Sequence, residues 1–269
     1  MVIFEALKKA KEKIGERDAG FVFQSILKKN SLELSLHKND ILSEDEIRLL
    51  NEAVDRIKSG EPLQYVLGNT EFMSLEFDVN PSVLIPRSDT ETLVEYIIEN
   101  APQSPSVLDI GTGSGCIAIS LAHYIKNSSV TAMDISEKAL ETAIINAKKN
   151  NVDIKFVRHD IMTDFEGEFD IVVSNPPYIE SDVIPGLDKN VKDFEPLTAL
   201  DGGADGLDFY RRITKIAPSL LKEGGMLCFE VGHTQAQTVC DMMKMNFNTE
   251  IIRDLCGIDR VVAGRLICK

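Results

Sequence analysis

Residues 106–116, Ser-Val-Leu-Asp-Ile-Gly-Thr-Gly-Ser-Gly-Cys, carry the strongest structural signal in the sequence. A short apolar run that leads into closely spaced glycines predicts a buried strand turning directly into a helix. The glycines are spaced GxGxG, and Cys116 stands where the third glycine of a dinucleotide-binding GxGxxG loop would fall. The Lys-Ser/Thr pair of a nucleoside-triphosphate loop is also missing. The pattern therefore predicts a strand–loop–helix unit that binds a different kind of ligand.

Strand and helix patterns alternate from this segment to the end of the chain. This alternation predicts an α/β, Rossmann-like fold, with a doubly wound, mainly parallel sheet of seven strands covered by helices. The last two strands are joined by a short link, which predicts an antiparallel hairpin at the sheet edge. The predicted strands are residues 106–110, 129–134, 154–157, 169–174, 225–231, 249–253 and 260–266.

The front of the chain has a helical period instead. Ile3, Leu7, Ala10 and Ile14 share one helical stripe, and Ser43-Glu44-Asp45-Glu46 has the sequence of a capping box. Between residues 63 and 86 the apolar residues alternate with polar ones, which predicts a short hairpin or ribbon. We therefore expect three parts.

The predicted parts are a small helical bundle at residues 1–68, a β-hairpin linker at residues 69–85 and the sheet domain at residues 86–269.

The composition is that of a globular protein with an acidic surface. The chain has 269 residues, 43% of them hydrophobic, and a net charge of −14. Residues 1–68 contain 11 basic and 12 acidic side chains, so nearly all of the acidic excess lies in the remainder. Such a charge disfavours binding of nucleic acid through its phosphates. We expect no direct nucleic-acid partner.

The cysteines and histidines are scattered without a metal-binding spacing, so we expect no metal site. An odd number of cysteines without a CxxC pair predicts free thiols in a reducing compartment. No apolar run approaches the ~20 residues that span a membrane, and the mixed charges of the first residues are unlike a signal peptide. We expect a cytoplasmic protein with no membrane contact. The cysteines are Cys116, Cys228, Cys240, Cys256 and Cys268.

Acidic residues occur at the ends of the first three predicted strands of the sheet. Ligands of such sheets bind beyond the carboxyl ends of the strands. Asp109, two residues before the first glycine, would repel a pyrophosphate but accept a hydrogen bond from an ammonium group. Asp134 would accept from both ribose hydroxyls, and Asp160 would lie near an adenine amine. The ligand that combines these groups is S-adenosylmethionine.

Asn175-Pro176-Pro177-Tyr178 follows the fourth predicted strand, beside the glycine loop. The Asn175 side-chain oxygen and the Pro176 carbonyl are acceptors that would hold two N–H groups and direct the nitrogen lone pair at a methyl donor. Tyr178 would pack on the flat group. The motif indicates methyl transfer to a planar nitrogen, in an amide or in a nucleobase amine. The nonenzymatic alternative is a nucleotide-binding or assembly protein. A protein that only binds a nucleotide would not need the Asn175–Tyr178 motif.

Together, these motifs resemble the bacterial protein-(glutamine-N5) methyltransferases that modify peptide chain release factors, known as the HemK or PrmC family. The resemblance extends over essentially the whole chain. Asn175–Tyr178 alone is shared with adenine and guanine N-methyltransferases, whereas the segments at 84–91 and 194–200 are more specific. The stretches that carry the resemblance are residues 61–68, 84–91, 109–115, 175–178, 194–200 and 254–265.

The resemblance implies a class I S-adenosylmethionine-dependent methyltransferase fold and transfer of a methyl group to the glutamine of a release factor's Gly-Gly-Gln loop. It implies that the helical bundle docks the release factor, and we expect the enzyme to be a monomer. The alternative is a nucleic-acid N-methyltransferase acting on adenine N6 or guanine N2. The implied donor site is Asp109, Gly111, Thr112, Gly113, Ser114, Gly115, Asp134, Asp160, Ile161 and Asn175, and the implied catalytic and substrate-binding residues are Asn175, Pro176, Pro177 and Tyr178.

Several positions remain open at this stage. Ser88 and Met73 depart from residues that are common in the family, which concerns local packing or release-factor preference. Residues 194–196 form either a lid or a structural loop. We expect Arg87 and Asp89 to pair as a brace, and Glu230 to brace a helix or loop rather than to act in catalysis.

Overall fold

The computed structural model describes residues 1–267, so the free thiol predicted at Cys268 lies outside the described part. The chain forms two compact units. The first comprises residues 1–69 together with residues 188–194, and the second comprises residues 70–187 and the chain from residue 195 onward. The sequence-based division did not place residues 188–194 with the helical bundle. No helix within residues 1–267 is long and apolar enough to cross a membrane.

The helices and strands follow one another in the order that the sequence pattern predicts, with short additional helices. In chain order they are α1 (Ile3–Ile14), α2 (Glu16–Leu27), α3 (Ser31–Leu36), α4 (Glu44–Lys58), α5 (Leu63–Leu67), β1 (Asn69–Phe72), β2 (Leu75–Asp78), α6 (Glu91–Asn100), β3 (Ser106–Ile110), α7 (Cys116–Tyr124), β4 (Ser129–Asp134), α8 (Glu137–Lys149), β5 (Ile154–Arg158), β6 (Phe169–Ser174), α9 (Lys189–Lys192), α10 (Asp208–Leu220), β7 (Leu221–Glu230), α11 (Ala236–Met243), β8 (Phe247–Arg253) and β9 (Asp259–Leu266).

The first unit is the predicted helical bundle. On α1 the stripe that begins at Ile3 faces a core that also receives Phe23 of α2 and Val54 of α4. The capping box of α4 is confirmed, because the Ser43 hydroxyl accepts from the Glu46 backbone N–H and the Glu46 carboxylate accepts from the Ser43 N–H.

Residues 63–67 form the short helix α5, whereas the sequence placed them in a ribbon. Pro62 stands at the N-cap of this helix, and Gly68 ends it in the left-handed conformation at φ +80°. Period-2 patterning is a weak guide in a segment of only five residues. The sheet structure therefore begins only at Asn69.

The hairpin of β1 and β2 is packed into the core of the second unit. The rings of Phe72 and Phe77 are both buried and meet edge to face with centroids 6.1 Å apart. Asn146 of α8 holds the end of β2, because its side-chain amide exchanges two hydrogen bonds with the backbone of Asp78 at 2.7 and 3.0 Å. The hairpin predicted as a linker is thus anchored to a helix of the sheet domain.

The turn of this hairpin consists of two residues that both have positive φ, Met73 at 49° and Ser74 at 57°. The twist of such a turn matches the right-handed twist of the two strands that it joins, but positive φ angles strain residues other than glycine and asparagine. The Tyr124 hydroxyl donates to the Met73 carbonyl at 2.6 Å, which fixes the turn. Met73, which departs from the residue common in the family, therefore lies in a turn that is fixed by a hydrogen bond to the backbone and not to the side chain of this residue.

Ser74→Gly is expected to raise the free energy of unfolding by about 0.5–1 kcal/mol, because the left-handed conformation costs other L-residues about 1–2 kcal/mol and the greater freedom of unfolded glycine offsets part of the gain. Urea denaturation followed by circular dichroism measures this change. Ser129→Gly, at the exposed start of β4 and without a positive φ, is the control and should not stabilise. A Ser74→Gly protein that is less stable than wild type would contradict the turn assignment.

The large sheet has the strand order β5-β4-β3-β6-β7-β9-β8. The first five strands are parallel, and β9 is antiparallel to both β7 and β8, so the predicted seven-stranded sheet with an antiparallel C-terminal hairpin is confirmed. From β3 the chain first adds β4 and β5 on one side and then β6 on the other. The switch point, where ligands bind in such sheets, therefore lies at the carboxyl ends of β3 and β6.

Both faces of the sheet are covered. Successive residues of one strand enter opposite cores: Val107 packs in the cluster beneath α6 and α7, and its neighbour Leu108 packs in the cluster beneath α10 and α11. Val172 and Val173 of β6 alternate in the same way. Because side chains alternate across a strand, nearly continuous apolar runs such as these are typical of strands buried on both faces.

Candidate functional site

A cavity of about 580 Å³ opens at the switch point of the sheet, entirely within the second unit. It brings together most of the predicted site. Asp109, Gly115 and Tyr178 do not line it. The predicted residues in its wall are Gly111, Thr112, Gly113, Ser114, Asp134, Asp160, Ile161, Asn175, Pro176 and Pro177.

The glycine loop is shaped by positive φ angles, and three of its backbone N–H groups already donate within the protein. The N–H groups of Gly111 and Thr112 both donate to the Met133 carbonyl, at 2.8 and 2.9 Å. The N–H of Gly113 donates to the Asp134 carboxylate at 2.9 Å. These three donors are therefore unavailable for a phosphate, in agreement with the departure from GxGxxG. A Cβ added at Gly111 or Gly113 would meet no atom within 4 Å, so the space beside the loop is open.

Gly115 has a packing role. It adopts φ +83°, and an added Cβ would lie 2.9 Å from Ile119 Cδ1 and 3.1 Å from Ala143 Cβ. This glycine therefore permits the close approach of α7 and α8 behind the loop. Its place in the predicted donor site is indirect, since it shapes the loop without lining the cavity.

Asp109 is completely buried behind the loop. Its Oδ2 accepts from the Thr112 hydroxyl at 2.6 Å, while its Oδ1 has no hydrogen-bond partner within residues 1–267. Burial raises the pKa of this carboxyl to about 7, the hydrogen bonds from the Thr112 hydroxyl and the Ala118 backbone oppose the rise, and the charge of Asp134 adds to it. A buried carboxylate with an unmatched oxygen is suited to a cationic donor group.

Asp134 connects the loop to the end of β4. Its Oδ2 accepts from Gly113 N–H, and its Oδ1 accepts from Ser136 N–H at 2.8 Å. Burial raises the pKa of Asp134, and the backbone hydrogen bonds from Ser136, Gly113 and Ile135 oppose that rise. Each carboxylate oxygen has a further lone pair, so this oriented group can still accept from a ligand's hydroxyls.

The segment after β5 is held by an arginine that the sequence pattern did not single out for this role. Arg212 of α10 donates from Nε to the Ile161 carbonyl at 2.9 Å and from its guanidinium to the Thr163 carbonyl at 2.6 Å. Asp160 accepts from the Met162 N–H at 2.9 Å. Asp160 and Ile161 thus form a rigid wall on one side of the cavity, and their position depends on Arg212.

The Asn175–Tyr178 segment leaves the sheet at the end of β6. Ser174 donates to the Ile110 carbonyl at 2.7 Å and so fixes the end of β6 against β3. The side-chain amide of Asn175 donates to the Thr90 hydroxyl at 3.3 Å. Asn175 therefore lines the cavity with its side-chain NH2 group hydrogen-bonded to Thr90.

The backbone after Pro177 is held tightly. Gln235 donates to the carbonyls of Tyr178 and Gly206, at 3.0 and 3.3 Å. A Cβ added at Gly202 would come within 2.7 Å of the Pro177 carbonyl oxygen, so only glycine fits there. Tyr178 packs with the apolar core beside α10, and burial raises the pKa of its hydroxyl to about 12. Tyr178 thus stands behind the cavity wall.

Arg87 and Asp89 do not pair with each other, so the predicted brace between them is wrong. Arg87 forms an ion pair with Glu195, and Asp89 forms one with Arg260 at 3.0 Å. The reason is local: Arg87 is extended, and Asp89 lies in the turn of 3-10 helix that follows, at Ser88–Thr90. The two side chains therefore diverge toward different parts of the fold.

The segment that begins at Glu195 covers part of the cavity. Glu195 is buried, its Oε2 has no partner within residues 1–267, and burial raises its pKa while the Arg87 charge opposes the rise. The next residues, 196–199, line the cavity wall beside Arg87 and Thr90. The sequence left residues 194–196 as either a lid or a structural loop, and it did not assign residues 197–199 to the site.

The cavity fits S-adenosylmethionine. The Oδ1 of Asp109, which has no hydrogen-bond partner within residues 1–267, lies behind the loop, and the N–H groups of Gly111, Thr112 and Gly113 are not free to bind a phosphate. The walls near Asp134 include apolar side chains of Ile110, Met133 and Ile161 that suit an adenine ring. Within residues 1–267 there is no group of three or more His, Cys, Asp or Glu side chains able to hold a metal ion.

Comparison with known proteins places the chain in a family. Residues 3–68 match the PrmC N-terminal domain, and residues 87–185 match the methyltransferase small domain. The chain is 40% identical over 261 residues to the release factor glutamine methyltransferase of Fusobacterium nucleatum subsp. nucleatum, an alignment that covers 94% of this chain and 73% of that protein.

Two further comparisons agree. The release factor glutamine methyltransferase of Clostridium acetobutylicum is 37% identical over 268 residues, covering 96% of this chain and 94% of that protein. A methyltransferase crystal structure from Pyrococcus furiosus shares the fold, with a TM-score of 0.53 and 20% identity over 72% of this chain and 90% of that one. The chain belongs to the release factor glutamine methyltransferase family.

Proposed function

We propose that this chain transfers a methyl group from S-adenosylmethionine to the side-chain amide nitrogen of the glutamine in the Gly-Gly-Gln loop of class-1 peptide chain release factors. The products are N5-methylglutamine and S-adenosylhomocysteine. One observation carries the proposal: the Asn175–Pro177 acceptors lie in the same cavity as the glycine loop and Asp134. The names of the relatives agree with this chemistry.

The donor occupies the half of the cavity built from β3, β4 and β5. The negative charge of Asp109, behind the glycine loop, attracts the ammonium group of the donor. Asp134 accepts hydrogen bonds from the donor's ribose hydroxyls, and Asp160 and Ile161 border the donor's adenine. When bound, it supplies an electrophilic methyl group on a sulfonium. Burial makes each of these hydrogen bonds stronger than it would be in water, because competing solvent is excluded.

The glutamine occupies the half of the cavity next to Asn175. Its amide nitrogen is a poor nucleophile, because the lone pair is delocalised into the carbonyl. Asn175 Oδ1 and the Pro176 carbonyl accept the two N–H groups, hold the nitrogen in place and stabilise the positive charge that develops on it. No general base has to act first, since the nitrogen loses its proton after attack.

We place the reaction in the cytoplasm and assign the docking of the release factor to the first unit, acting as a monomer. The first unit exposes several large apolar side chains, and neighbouring exposed apolar residues can form a protein-binding surface. Leu32 and Leu36 are 68% and 72% exposed and lie one turn apart on α3. The exposed apolar residues of this unit include Phe4, Phe21, Leu32, Leu36, Ile41 and Leu49.

Replacing both Leu32 and Leu36 with serine is expected to raise the KM for the release factor by about 30-fold, since each exposed leucine at such a surface contributes on the order of 1 kcal/mol and about 1.4 kcal/mol is tenfold. Affinity for S-adenosylmethionine should stay unchanged. Steady-state kinetics with whole release factor measures the first effect, and calorimetry measures the second. Lys8→Ser on the exposed face of α1 serves as the control. An unchanged KM would remove α3 from the docking surface.

The experiment that tests the proposed function offers the purified protein methyl-labelled S-adenosylmethionine and, in parallel tubes, a class-1 release factor, transfer RNA and duplex DNA. We expect label in the release factor alone. Label in RNA or DNA but not in protein would contradict the proposed function. It would instead support methylation of nucleobase amines, the alternative that the Asn175–Tyr178 motif left open. The acidic charge of the chain, −14 overall, argues against that outcome.

A further inference from the structure

A second buried carboxylate, that of Glu230, stands directly beside Asn175. Strands β6 and β7 are parallel neighbours in a register that pairs Ser174 with Phe229. Glu230, the last residue of β7, therefore lies at the same level as Asn175, the residue that follows β6. Glu230 is only 2% exposed, and its Oε2 has no hydrogen-bond partner within residues 1–267.

Structural bracing does not account for this carboxylate. The cation whose charge acts on Glu230 is Arg260, and its guanidinium is already shared between Asp89 at 3.0 Å and Asp254 at 3.4 Å. A buried charge without a dedicated counter-ion costs stability, and an apolar residue of similar size would avoid that cost. A buried carboxylate in this position, beside the cavity, is a candidate for a role in the reaction chemistry.

The side chains around Glu230 are those that orient Asn175. The Asn175 amide donates to the Thr90 hydroxyl, and both Thr90 and Asn175 favour the ionised form of Glu230 through hydrogen bonding. The three side chains thus form one polar cluster, in which Thr90 and Asn175 line the cavity and Glu230 lies behind them.

We propose that Glu230 is a positioning residue that fixes the Asn175 amide with its NH2 group turned toward Glu230 and Thr90 and its Oδ1 turned toward the substrate. This inference rests on the proposed function. An ionised carboxylate is an acceptor only, so it admits a single orientation of the neighbouring amide. Its negative charge also favours the positive charge that develops on the attacked nitrogen.

The proposal makes the state of Asn175 depend on pH. Burial raises the pKa of Glu230 to about 7; hydrogen bonding from Thr90 and Asn175 and the Arg260 charge lower it, and the Asp89 charge raises it further. Tyr178, Tyr210 and Cys116 also face this charge. Because the pKa is raised, the ionised and orienting form is present above that value and is lost as the pH falls through it.

The test that does not depend on turnover is an NMR titration of the whole 15N-labelled protein. The side-chain NH2 resonances of Asn175, assigned by their absence from an Asn175→Ala spectrum, should shift with a midpoint near the raised pKa of Glu230, about 7. In Glu230→Gln they should not shift over this range. The pKa of Asp109 is also raised to about 7, but Asp109 is still present in Glu230→Gln. A shift of the Asn175 resonances caused by Asp109 would therefore persist in this variant, whereas a shift caused by Glu230 would disappear.

Kinetics supply the second readout. Glu230→Gln should lower kcat by about 10- to 100-fold, since a displacement of about 1 Å at a reacting group costs on the order of 10²-fold. The KM for S-adenosylmethionine should not change, and Glu230→Asp should recover part of the loss. Glu223→Gln, at an exposed position on the same strand, is the matched control.

The outcomes separate the two proposals. Wild-type Asn175 resonances that do not move with pH, or a Glu230→Gln turnover equal to that of Glu223→Gln, would overturn the positioning role. A wild-type protein that methylates no release factor while the resonances titrate as expected would refute the proposed function, and the coupling between Glu230 and Asn175 would stand.

Discussion

Asn175→Ala is expected to lower kcat for release-factor methylation by about 10²- to 10³-fold, the cost of removing one preorganised group that stabilises developing charge. The variant loses the acceptor that holds the substrate nitrogen, and it loses the hydrogen bond to Thr90. Affinity for S-adenosylmethionine should fall far less, because the glycine loop and Asp134 are untouched. Single-turnover transfer and calorimetric binding of the donor measure the two effects separately.

The control for this variant is Asn248→Ala, which truncates an exposed asparagine on the edge strand β8. It should behave as wild type in both assays. If Asn175→Ala retained the wild-type rate, the role of the amide oxygen would be wrong. If it instead lost donor binding and turnover together, Asn175 would belong mainly to the donor site.

Asp134→Ala is expected to weaken binding of S-adenosylmethionine by about 100-fold or more, because a hydrogen bond to a charged group contributes about 1.5–3 kcal/mol and this carboxylate is positioned to accept two from the ribose. It also holds the Gly113 and Ser136 N–H groups, so its loss loosens the loop. Isothermal calorimetry of donor binding checks the prediction.

Asp153→Ala removes an exposed carboxylate just before β5 and is the control for general charge effects. Thermal unfolding of Asp134→Ala should remain cooperative, since the buried core of β4 is unchanged. A variant that folds and binds the donor as tightly as wild type would contradict the assignment of Asp134 to the ribose.

The parallel sheet could be predicted from the sequence because its signals are local. Strands β4 and β6 begin and end at the residues that their apolar runs indicated, Ser129–Asp134 and Phe169–Ser174. Such runs are bounded by polar and turn-forming residues, so the sequence indicates both the type of element and the residues at which it begins and ends. The capping box of α4 is local for the same reason.

The candidate site was predictable where its residues directly follow a strand. The glycine loop, Asp134 and the residues after Ser174 all meet in one cavity, because the carboxyl ends of parallel strands lie at one edge of the sheet. Gly115 and Tyr178 were assigned by their place in a motif. The structure shows that each packs behind the wall instead, which depends on contacts outside the motif.

The parts that the sequence did not reveal depend on long-range pairing. Arg87 lies 108 residues from Glu195, and no local pattern joins them. Asn175 and Glu230 meet only through the register of β6 and β7. Side-chain partners across such separations follow from tertiary packing, which single-sequence patterns do not encode.

The central claim is that the methyl group is transferred to a glutamine amide nitrogen. The direct measurement is to methylate whole release factor with labelled S-adenosylmethionine, isolate the peptide that contains Gly-Gly-Gln, and hydrolyse it in strong acid. We expect one added methyl group, located on that glutamine by fragmentation, and release of the label as methylamine. A label that maps to another residue, that stays on the residue as a carbon-bound methyl group, or that leaves as methanol from an ester would contradict the claim.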